Sequence, residues 1–348
     1  MHYMGFKAIA IKARADIIPP HAQPQGSGRP AARPGEREAR PLTSPLLRLG
    51  TRGSPLAIIQ TNELRDALAA AHPELSAPGA IEVVPIQTTG DKVQDRALAE
   101  IGGKGLFTRE IEERLIDRRI DMAVHSVKDV PTWLPDGFEL VGMLPRADAR
   151  DTLLGGQSLA ALPPGTVVGT SSIRRQAQVL HARPDLKIVP FRGNVQTRMR
   201  KLAEGLANVT LLAQCGLDRL GVTNVGNVLE PSEMLPSVAQ GVIGAEIRAD
   251  DDRARHYLEA VHHAPTGIVV GCERGLLDAL DGSCRTPIAG YATLHGDRLR
   301  LQALVVSPDG RAVWRVEREG MASDGDALGH DAGQELRRIA DPRIFDGP

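Results

Sequence analysis

Short apolar runs alternate with amphipathic stretches along this 348-residue chain, from about residue 46 to residue 220. The apolar runs at 46–49, 81–89 and 121–125 predict strands. The stretch 105–120 predicts a helix, because its apolar residues recur every three or four positions. A second helix is predicted to begin at Ser54, which is followed by proline. Alternating strands and helices are typical of parallel sheets covered by helices.

The same rhythm repeats after a crossing near 145–165 that is rich in loop-forming residues. TVVGTSSIRRQAQVL, KIVPFRGNVQTRMRKL and VTLLAQCGLDRL each predict a strand, a polar turn and a helix. From about residue 264 the pattern changes to a helix, a loop that contains a cysteine, strands on either side of a Pro-Asp-Gly turn, and a last helix. The sequence therefore predicts two α/β regions followed by a smaller α+β region.

Residues 1–45 differ from the rest, because they are rich in Pro, Arg, Ala and Gly and contain few large apolar residues. Such a segment buries too little apolar surface to offset the entropy lost on ordering. We expect a disordered N-terminal extension that takes no part in the chemistry. A basic tail that docks a partner is the alternative.

The overall composition is that of a globular protein, with 42% hydrophobic and 24% charged residues. A net charge of −1 and 3% aromatic residues argue against a dedicated nucleic-acid binder. No apolar run approaches the roughly 20 residues that span a bilayer, and the N-terminus lacks the pattern of a signal peptide. The three cysteines show no metal-type spacing. We therefore expect a cytoplasmic protein without a nucleic-acid partner, a membrane partner or a metal site.

Cationic and hydroxyl side chains follow three of the predicted strands, in LGTRGSP, GTSSIRR and FRGNVQTR. In open α/β sheets, ligands bind beyond the carboxyl ends of the strands. Guanidinium groups bind carboxylates through paired hydrogen bonds, and helix N-termini favour anions. A single arginine would be explained as a solvated surface charge, but three strand ends of one kind predict a site for a ligand with many carboxylates or phosphates. The candidates are Arg52, Ser54, Thr170, Ser171, Ser172, Arg174, Arg175, Arg192, Gly193, Asn194 and Arg198.

The stretch VHSVKDVP places Lys128 and Asp129 directly after a buried strand. Because Pro131 keeps Val130 extended, the stretch predicts a fixed loop and not the start of a helix. A carboxylate among many cations stays ionised and can stabilise a developing positive charge. A purely structural Lys128–Asp129 pair is the alternative. His125 is interpreted as a packed core histidine.

The polar stretch TTGDKVQDRALAEIGGKGLF surrounds Lys104 with glycines but lacks the spacing of a phosphate-binding P-loop. It predicts a mobile lid over a cleft, or else a simple flexible connection.

The three cysteines have different surroundings. Cys215 and Cys272 lie in apolar runs and are predicted to be core residues. Cys284 lies in the turn-like DGSCRTP, next to Arg285, which favours the thiolate. Either this thiol carries an attached group or its position is an accident of packing.

Seven blocks resemble, in order, those of the hydroxymethylbilane synthase (porphobilinogen deaminase) family, from about residue 47 to near the C-terminus. They are RLGTRGSPLA, GDKVQDRALAEIGGKGLFTREIE, DMAVHSVKDVP, VVGTSSIRRQAQ, FRGNVQTR, AQGVIGAEIR and DGSCRTPIAGY. The resemblance implies two α/β lobes like those of type II periplasmic binding proteins, with mixed, mainly parallel sheets, and a smaller C-terminal α+β domain with an antiparallel sheet. The implied domains are 46–145 with 242–262, then 146–241, then 263–348.

The resemblance also implies an activity. Cys284 would hold a dipyrromethane cofactor through a thioether, and four porphobilinogen molecules would be joined head to tail with loss of ammonia, before hydrolysis releases the linear tetrapyrrole. Asp129 matches the catalytic aspartate, and the resemblance suggests a monomer. Ser126, Lys128, Lys104, Gln240 and Gly241 join the strand-end residues as binding residues. Two departures from the family pattern are Glu100 beside the lid and Ala239, where a glycine is common.

Two other functions stay open at this point. A non-catalytic, two-lobed binding protein for a polycarboxylate would use the same arginines but has no use for Cys284. A phosphosugar enzyme would fit the serine- and glycine-rich helix starts, yet no general base is evident.

Overall fold

The computed structural model describes residues 44–89, 108–281 and 286–345, all within one compact unit. Over these ranges the strands are β1 Leu47–Arg52, β2 Ile81–Ile86, β3 Met122–Ser126, β4 Phe138–Val141, β5 Asp151–Leu154, β6 Val167–Gly169, β7 Lys187–Val189, β8 Val209–Ala213, β9 Asn227–Val228, β10 Ile243–Arg248, β11 Ile288–His295, β12 Arg298–Val306 and β13 Val313–Met321. The α-helices are α1 Pro55–Ala71, α2 Arg109–Ile116, α3 Ile173–Ala182, α4 Val195–Ala203, α5 Gln214–Arg219, α6 Asp252–Glu259, α7 Ala264–Ala279 and α8 Gly325–Ile339.

The first sheet has five strands in the order β2-β1-β3-β10-β4. β1 runs parallel to β2 and β3, whereas β10 is antiparallel to both of its neighbours. Leu64 and Leu68 of α1 and Leu258 of α6 are buried against this sheet, and Ile111 of α2 packs on its other side. We call this sheet with α1, α2 and α6 the first lobe.

The second sheet repeats that design with the order β7-β6-β8-β5-β9. β6 runs parallel to β7 and β8, and β5 is antiparallel to β8 and β9. This sheet with α3, α4 and α5 is the second lobe. In both lobes the antiparallel strand lies next to a segment where the chain passes between the two sheets, before β5 and before β10. These two crossings therefore connect the lobes at one place.

The last region has a different architecture. β11, β12 and β13 form an antiparallel three-stranded sheet, and Cys272 and Leu276 of α7 share one apolar core with Leu301 of β12 and Leu336 of α8. We call β11–β13 with α7 and α8 the C-terminal unit. No helix in the described ranges has the length and apolar character needed to cross a membrane.

The strand orders confirm the predicted fold class of two mixed α/β lobes and a C-terminal antiparallel sheet. Ser54 caps α1, as predicted, and Ser172 and Asn194 cap α3 and α4 in the structure. One prediction was wrong, because the crossing near 145–165 contains the buried strand β5. Its four residues, DTLL, are too few to show a period, and an aspartate opens them.

Candidate functional site

The candidate catalytic carboxylate lies at the carboxyl ends of two adjacent parallel strands of the first lobe. β1 ends at Arg52, β3 ends at Ser126, and a single 3₁₀ turn follows at Val127–Asp129. The predicted fixed loop is therefore one helical turn, after which Val130 is extended as expected before proline. The Asp129 side chain is 39% exposed, and its Oδ2 lies 3.9 Å from Nη1 of Arg52. This long, open ion pair leaves the carboxylate accessible to a ligand.

Hydrogen bonds fix the start of the Val127–Asp129 turn. The Ser126 hydroxyl donates to Oε1 of Gln60 at 2.9 Å, and the Val127 amide donates to the Val242 carbonyl at 3.0 Å. The first of these contacts holds the turn to α1, and the second holds it to the crossing that leads into β10.

Lys128 turns away from Asp129. Its Nζ donates to Oε1 of Gln240 at 3.3 Å, and within the described residues no ion pair joins Lys128 to Asp129. The alternative of a structural Lys–Asp pair therefore does not hold, and the Asp129 carboxylate lies near Arg52 and is partly exposed.

Sequence reasoning missed the most buried carboxylate of the second lobe, Asp151 at the start of β5. It is fully buried and accepts from Nη2 of Arg174 at 2.7 Å and from Nη2 of Arg175 at 2.8 Å. Burial acts to raise the pKa of Asp151, but the two guanidinium charges outweigh it and hold this pKa well below its usual range. The aspartate is therefore a permanent anion that neutralises two cations.

Arg174 and Arg175, both predicted as ligand-binding, are satisfied largely inside the lobe. Besides Asp151, Arg174 donates to the Leu235 carbonyl at 2.7 Å and Arg175 to the Leu211 carbonyl at 2.9 Å. Burial lowers the pKa of Arg174. If β5 were purely apolar, the two buried guanidinium groups would have no counter-charge. Asp151 supplies that charge, and this is its structural role.

Gln240 connects the two lobes through one side chain. Its Nε2 donates to the Ala149 carbonyl at 2.6 Å and to Oδ1 of Asp151 at 2.8 Å, while its Oε1 accepts from Lys128. The amide therefore joins the turn that carries Asp129 to the buried aspartate of the second lobe.

The backbone on either side of Gln240 is left-handed. Ala239 has φ +55° and Gly241 has φ +93°. A Cβ at Gly241 would lie 2.5 Å from the Ala147 carbonyl oxygen on the other crossing, so only glycine fits there. Ala239, where the resemblance implies glycine, adopts a conformation that a side chain disfavours.

A cationic cluster lies at the carboxyl end of β7 and the first turn of α4. Nε of Arg198 donates to the Gly193 carbonyl at 2.9 Å, and Arg198 forms no ion pair with any described residue. Burial, together with the positive charges of Arg175 and Arg192, lowers the pKa of Arg198 to about 10. A bound carboxylate would relieve this repulsion, so the cluster is a candidate anion site of the second lobe.

The hydroxyl and amide side chains of the two loops serve first as caps. Thr170 Oγ1 accepts from the Ser172 amide at 3.2 Å, and Ser171 Oγ accepts from the Phe191 amide at 2.8 Å. Ser172 and Asn194 accept from the first turns of α3 and α4. Each hydroxyl keeps its own proton, so the same groups that shape the loops can donate to an anion.

Two predicted residues, Cys284 and Lys104, lie outside the described residues, as do residues 1–43 and most of the predicted lid. Cys215 and Cys272 are buried, which confirms both as core residues, and burial raises the pKa of Cys272 to about 12. His125 is also confirmed as a core residue, with Nε2 3.0 Å from Oε2 of the buried Glu246. Among the described residues, no group of three or more His, Cys, Asp or Glu side chains could hold a metal ion.

Comparisons with known proteins agree on one family. The family model "Porphobilinogen deaminase, dipyromethane cofactor binding domain" matches residues 47–256, and "Porphobilinogen deaminase, C-terminal domain" matches residues 268–338. The chain is 53% identical over 308 residues to "Porphobilinogen deaminase, chloroplastic" of Oryza sativa subsp. japonica, covering 86% of each. It is 53% identical over 303 residues to "Porphobilinogen deaminase" of Paracoccus denitrificans, covering 86% of this chain and 96% of the relative.

Solved structures resemble the chain more distantly. The periplasmic aliphatic sulphonate binding protein SsuA of Escherichia coli is 13% identical, with a TM-score of 0.37 over 68% of this chain and 70% of that one. The ligand-binding component of an ABC-type import system of Staphylococcus aureus is 10% identical, with a TM-score of 0.37 over 68% of this chain and 75% of that one.

The family matches confirm three predictions made from the motifs, namely the family itself, a transferase activity and a dipyrromethane cofactor. They do not favour the non-catalytic binding protein. The roles of individual site residues stay predictions. At the level of the whole sequence the conclusion is direct: with both family models matched in order and relatives identical at half of the aligned positions, the chain belongs to the porphobilinogen deaminase family.

Proposed function

We propose that this chain acts as a hydroxymethylbilane synthase, in which Asp129 is the catalytic carboxylate and Cys284 is the attachment point of the cofactor. Four porphobilinogen molecules are joined head to tail, each losing ammonia, and water then releases the linear tetrapyrrole. The observation that carries the proposal is the accessible Asp129 carboxylate at the strand ends of the first lobe, in a chain that also presents a cationic cluster on the second lobe.

The residues of the second lobe fit a dipyrromethane. Each of its pyrroles carries an acetate and a propionate, and the half-buried Arg198, beside two further arginines, has a depressed pKa that such carboxylates would restore. When bound, the cofactor supplies the pyrrole carbon to which the first substrate molecule is joined. We assign the contacts with carboxylates to Arg52, Ser54, Ser126, Lys128, Thr170, Ser171, Ser172, Arg192, Gly193, Asn194 and Arg198, with Arg174, Arg175, Gln240 and Gly241 behind them.

Asp129 acts on the charge that develops when ammonia leaves. Cleavage of the bond between the aminomethyl carbon and nitrogen of porphobilinogen leaves a positive charge that is shared between that carbon and the pyrrole nitrogen. An ionised carboxylate near the pyrrole N–H lowers the energy of this cation, and a fixed turn does so without reorganisation. Nη1 of Arg52 lies 3.9 Å from Oδ2 of Asp129, and the Asp129 side chain is still 39% exposed, so the ion pair does not cover the carboxylate.

We also propose three domains with the boundaries predicted from the sequence: 46–145 with 242–262, 146–241, and 263–348. Support comes from the pairing of the strands, since β10 joins the first sheet although it follows the whole second lobe.

We further propose a cytoplasmic monomer that binds neither nucleic acid nor membranes. The net charge of −1 supports this proposal, and size-exclusion chromatography with light scattering tests the monomer.

Denaturing mass spectrometry tests the attachment. The purified chain should carry an adduct of two pyrrole units that is lost in Cys284→Ser and kept in the matched controls Cys215→Ser and Cys272→Ser. An unmodified chain from an active preparation would refute the proposal.

Asp129→Asn tests the catalytic role. This variant removes the charge and keeps the shape, so kcat should fall by about 10²- to 10³-fold, as when a charge-stabilising group is removed from other active sites. Near-normal formation of the tetrapyrrole would exclude Asp129 from the mechanism.

A further inference from the structure

Arg274 of α7 reaches from the C-terminal unit to the backbone that directly follows Asp129. Its Nη1 donates to the Val130 carbonyl at 3.3 Å, and its Nη2 donates to the carbonyls of Pro131 at 2.7 Å and Thr132 at 2.9 Å. Three successive carbonyl groups of the first lobe thus converge on one guanidinium group.

Arginine suits this contact better than any other side chain. A planar guanidinium presents several N–H donors in a fixed fork, whereas a lysine ammonium is a compact point charge. Among the described residues Arg274 forms no ion pair, so its donors serve the backbone and not a carboxylate. Burial lowers its pKa, which shows that the charge is kept in a partly desolvated place.

The preceding residue, Glu273, holds the same helix to the crossings between the lobes. Its buried carboxylate accepts from Nη1 of Arg146 at 2.6 Å and from the amides of Ala239 at 2.6 Å and Ala292 at 2.7 Å. Two adjacent residues of α7 therefore fix the helix to the crossings and to the loop after Asp129. The position of α7 and the position of that loop are linked.

We propose that Arg274 is a positioning residue for the reaction, which holds the Asp129 turn in place from its C-terminal side. The inference rests on the proposed catalytic role of Asp129. Ser126 and Val127 fix the start of the turn, and Arg274 fixes the backbone that follows it. The C-terminal unit, whose sequence includes Cys284, thereby contributes to the geometry of a carboxylate on the first lobe.

Substitution of Arg274 should slow the chemistry more than it weakens binding. In Arg274→Ala the loop after Asp129 loses three hydrogen bonds, and a displacement of the order of 1 Å should lower kcat by about 10- to 100-fold. KM for porphobilinogen should change little, because the cationic cluster of the second lobe is untouched. The two-pyrrole adduct should remain on the holoenzyme.

A cavity beside Arg274 allows a rescue experiment, in which added guanidinium ion restores kcat of Arg274→Ala. A purely structural role for Arg274 does not predict this recovery. Arg274 and Thr132 line a cavity of about 800 Å³ between α7 and the β4–α6 side of the first lobe. Guanidinium ion at millimolar concentration can enter such a space and donate to the same carbonyls. It should raise kcat of Arg274→Ala several-fold and leave the wild type unchanged.

Arg318→Ala is the matched control, because Arg318 of β13 pairs with Asp331 and Glu335 inside the C-terminal unit. It should lower the melting temperature without changing kcat, and guanidinium should not affect its rate. If Arg274→Ala does not fold, Arg274→Lys keeps the charge but not the fork, and should show the same loss of kcat in weaker form.

The outcomes separate the two proposals. A normal kcat in both Arg274 variants, or a loss that guanidinium does not reverse and that parallels the lost stability, overturns the positioning role. If Asp129→Asn is inactive and Arg274→Ala is normal, only the inference about Arg274 fails. If Asp129→Asn keeps turnover, the catalytic assignment itself fails.

Discussion

Each lobe places an aspartate among arginines, yet the two aspartates have opposite surroundings. Asp129 of the first lobe is 39% exposed and has a guanidinium nitrogen of Arg52 at 3.9 Å. Asp151 of the second lobe is fully buried and accepts from Arg174, Arg175 and Gln240 at 2.7–2.8 Å. Similar residues therefore have different surroundings: one carboxylate is accessible from solvent, and the other neutralises charge inside the protein. Burial and the number of partners decide which.

The arginines of the second lobe divide in the same way. Arg174 and Arg175 are bound to Asp151 and to carbonyl groups of the lobe. Arg198 has a carbonyl partner, and burial together with two like charges nearby lowers its pKa to about 10. Asp151 therefore neutralises Arg174 and Arg175, whereas Arg198 has no anionic partner among the described residues.

The largest expected effect follows removal of the buried charge. Asp151→Asn leaves two guanidinium groups buried without a counter-ion, which should lower the free energy of unfolding by about 3–5 kcal/mol. Asp129→Asn should change the free energy of unfolding by no more than about 0.5 kcal/mol, as is usual for exposed substitutions. Urea denaturation of the two variants measures this difference in stability. Equal stabilities for Asp151→Asn and Asp129→Asn would break the comparison.

The pH dependence of stability sharpens the same contrast. The paired guanidinium groups lower the pKa of Asp151 in the folded state, so on acidification the unfolded chain takes up this proton first. The stabilisation by Asp151 is then complete above about pH 5 and is lost as the pH falls from the ordinary Asp pKa of about 4 towards the lower folded value. The difference in unfolding free energy between wild type and Asp151→Asn should be constant from neutral pH to about pH 5 and narrow below it. A difference that widens in acid would contradict the assignment.

Arg→Gln substitutions at Arg174 and Arg198 test the difference between an arginine paired with Asp151 and one without an anionic partner. Arg174→Gln should cost about 2 kcal/mol of stability, less than Asp151→Asn because Arg175 still neutralises the aspartate. Arg198→Gln should keep the stability of the wild type, because it removes a charge that two neighbouring cations oppose. It should instead raise KM for porphobilinogen by about 10-fold or more, the value of one hydrogen bond to a charged group.

Arg200→Gln is the control on the same helix. Arg200 is exposed and pairs with Glu204 one turn further along α4, so its removal should change neither stability nor KM. The comparison would fail if Arg198→Gln lowered stability as much as Arg174→Gln, or if Arg200→Gln raised KM equally.

The sequence allowed the prediction of most of the fold, because the helix caps and apolar runs act locally. Ser54 begins α1 as its residue type predicts, and the predicted helices after the turns of GTSSIRR and FRGNVQTR are α3 and α4. It did not allow the prediction of β5 or of the role of Asp151, since a four-residue strand has no period and its charge is explained only by arginines that follow more than 20 residues later.

The sequence predicted which residue types form the candidate site, but not which of its arginines face a ligand and which are paired inside the protein. Which arginines face a ligand depends on where buried carboxylates lie, and that is decided by tertiary packing. Arg274 gave no signal at all, because its partners are backbone carbonyl groups of Val130, Pro131 and Thr132, which every sequence contains.

The smallest effect is expected from the N-terminal segment, which bears on whether the lobes supply the anion site alone. Residues 1–45 contain seven lysines and arginines against three acidic residues, so they offer a second source of cations for an acidic substrate. If the arginines at the strand ends suffice, deletion of residues 1–45 should leave kcat and KM within about twofold of those of the full chain, since changes at chain termini are commonly tolerated. Steady-state assays at low and high salt measure this, because a tail that steers anions would act mainly at low salt. If the deletion variant has a higher KM than the full chain at low ionic strength, the N-terminal segment also attracts the substrate, and Arg198 and its neighbours do not do so alone.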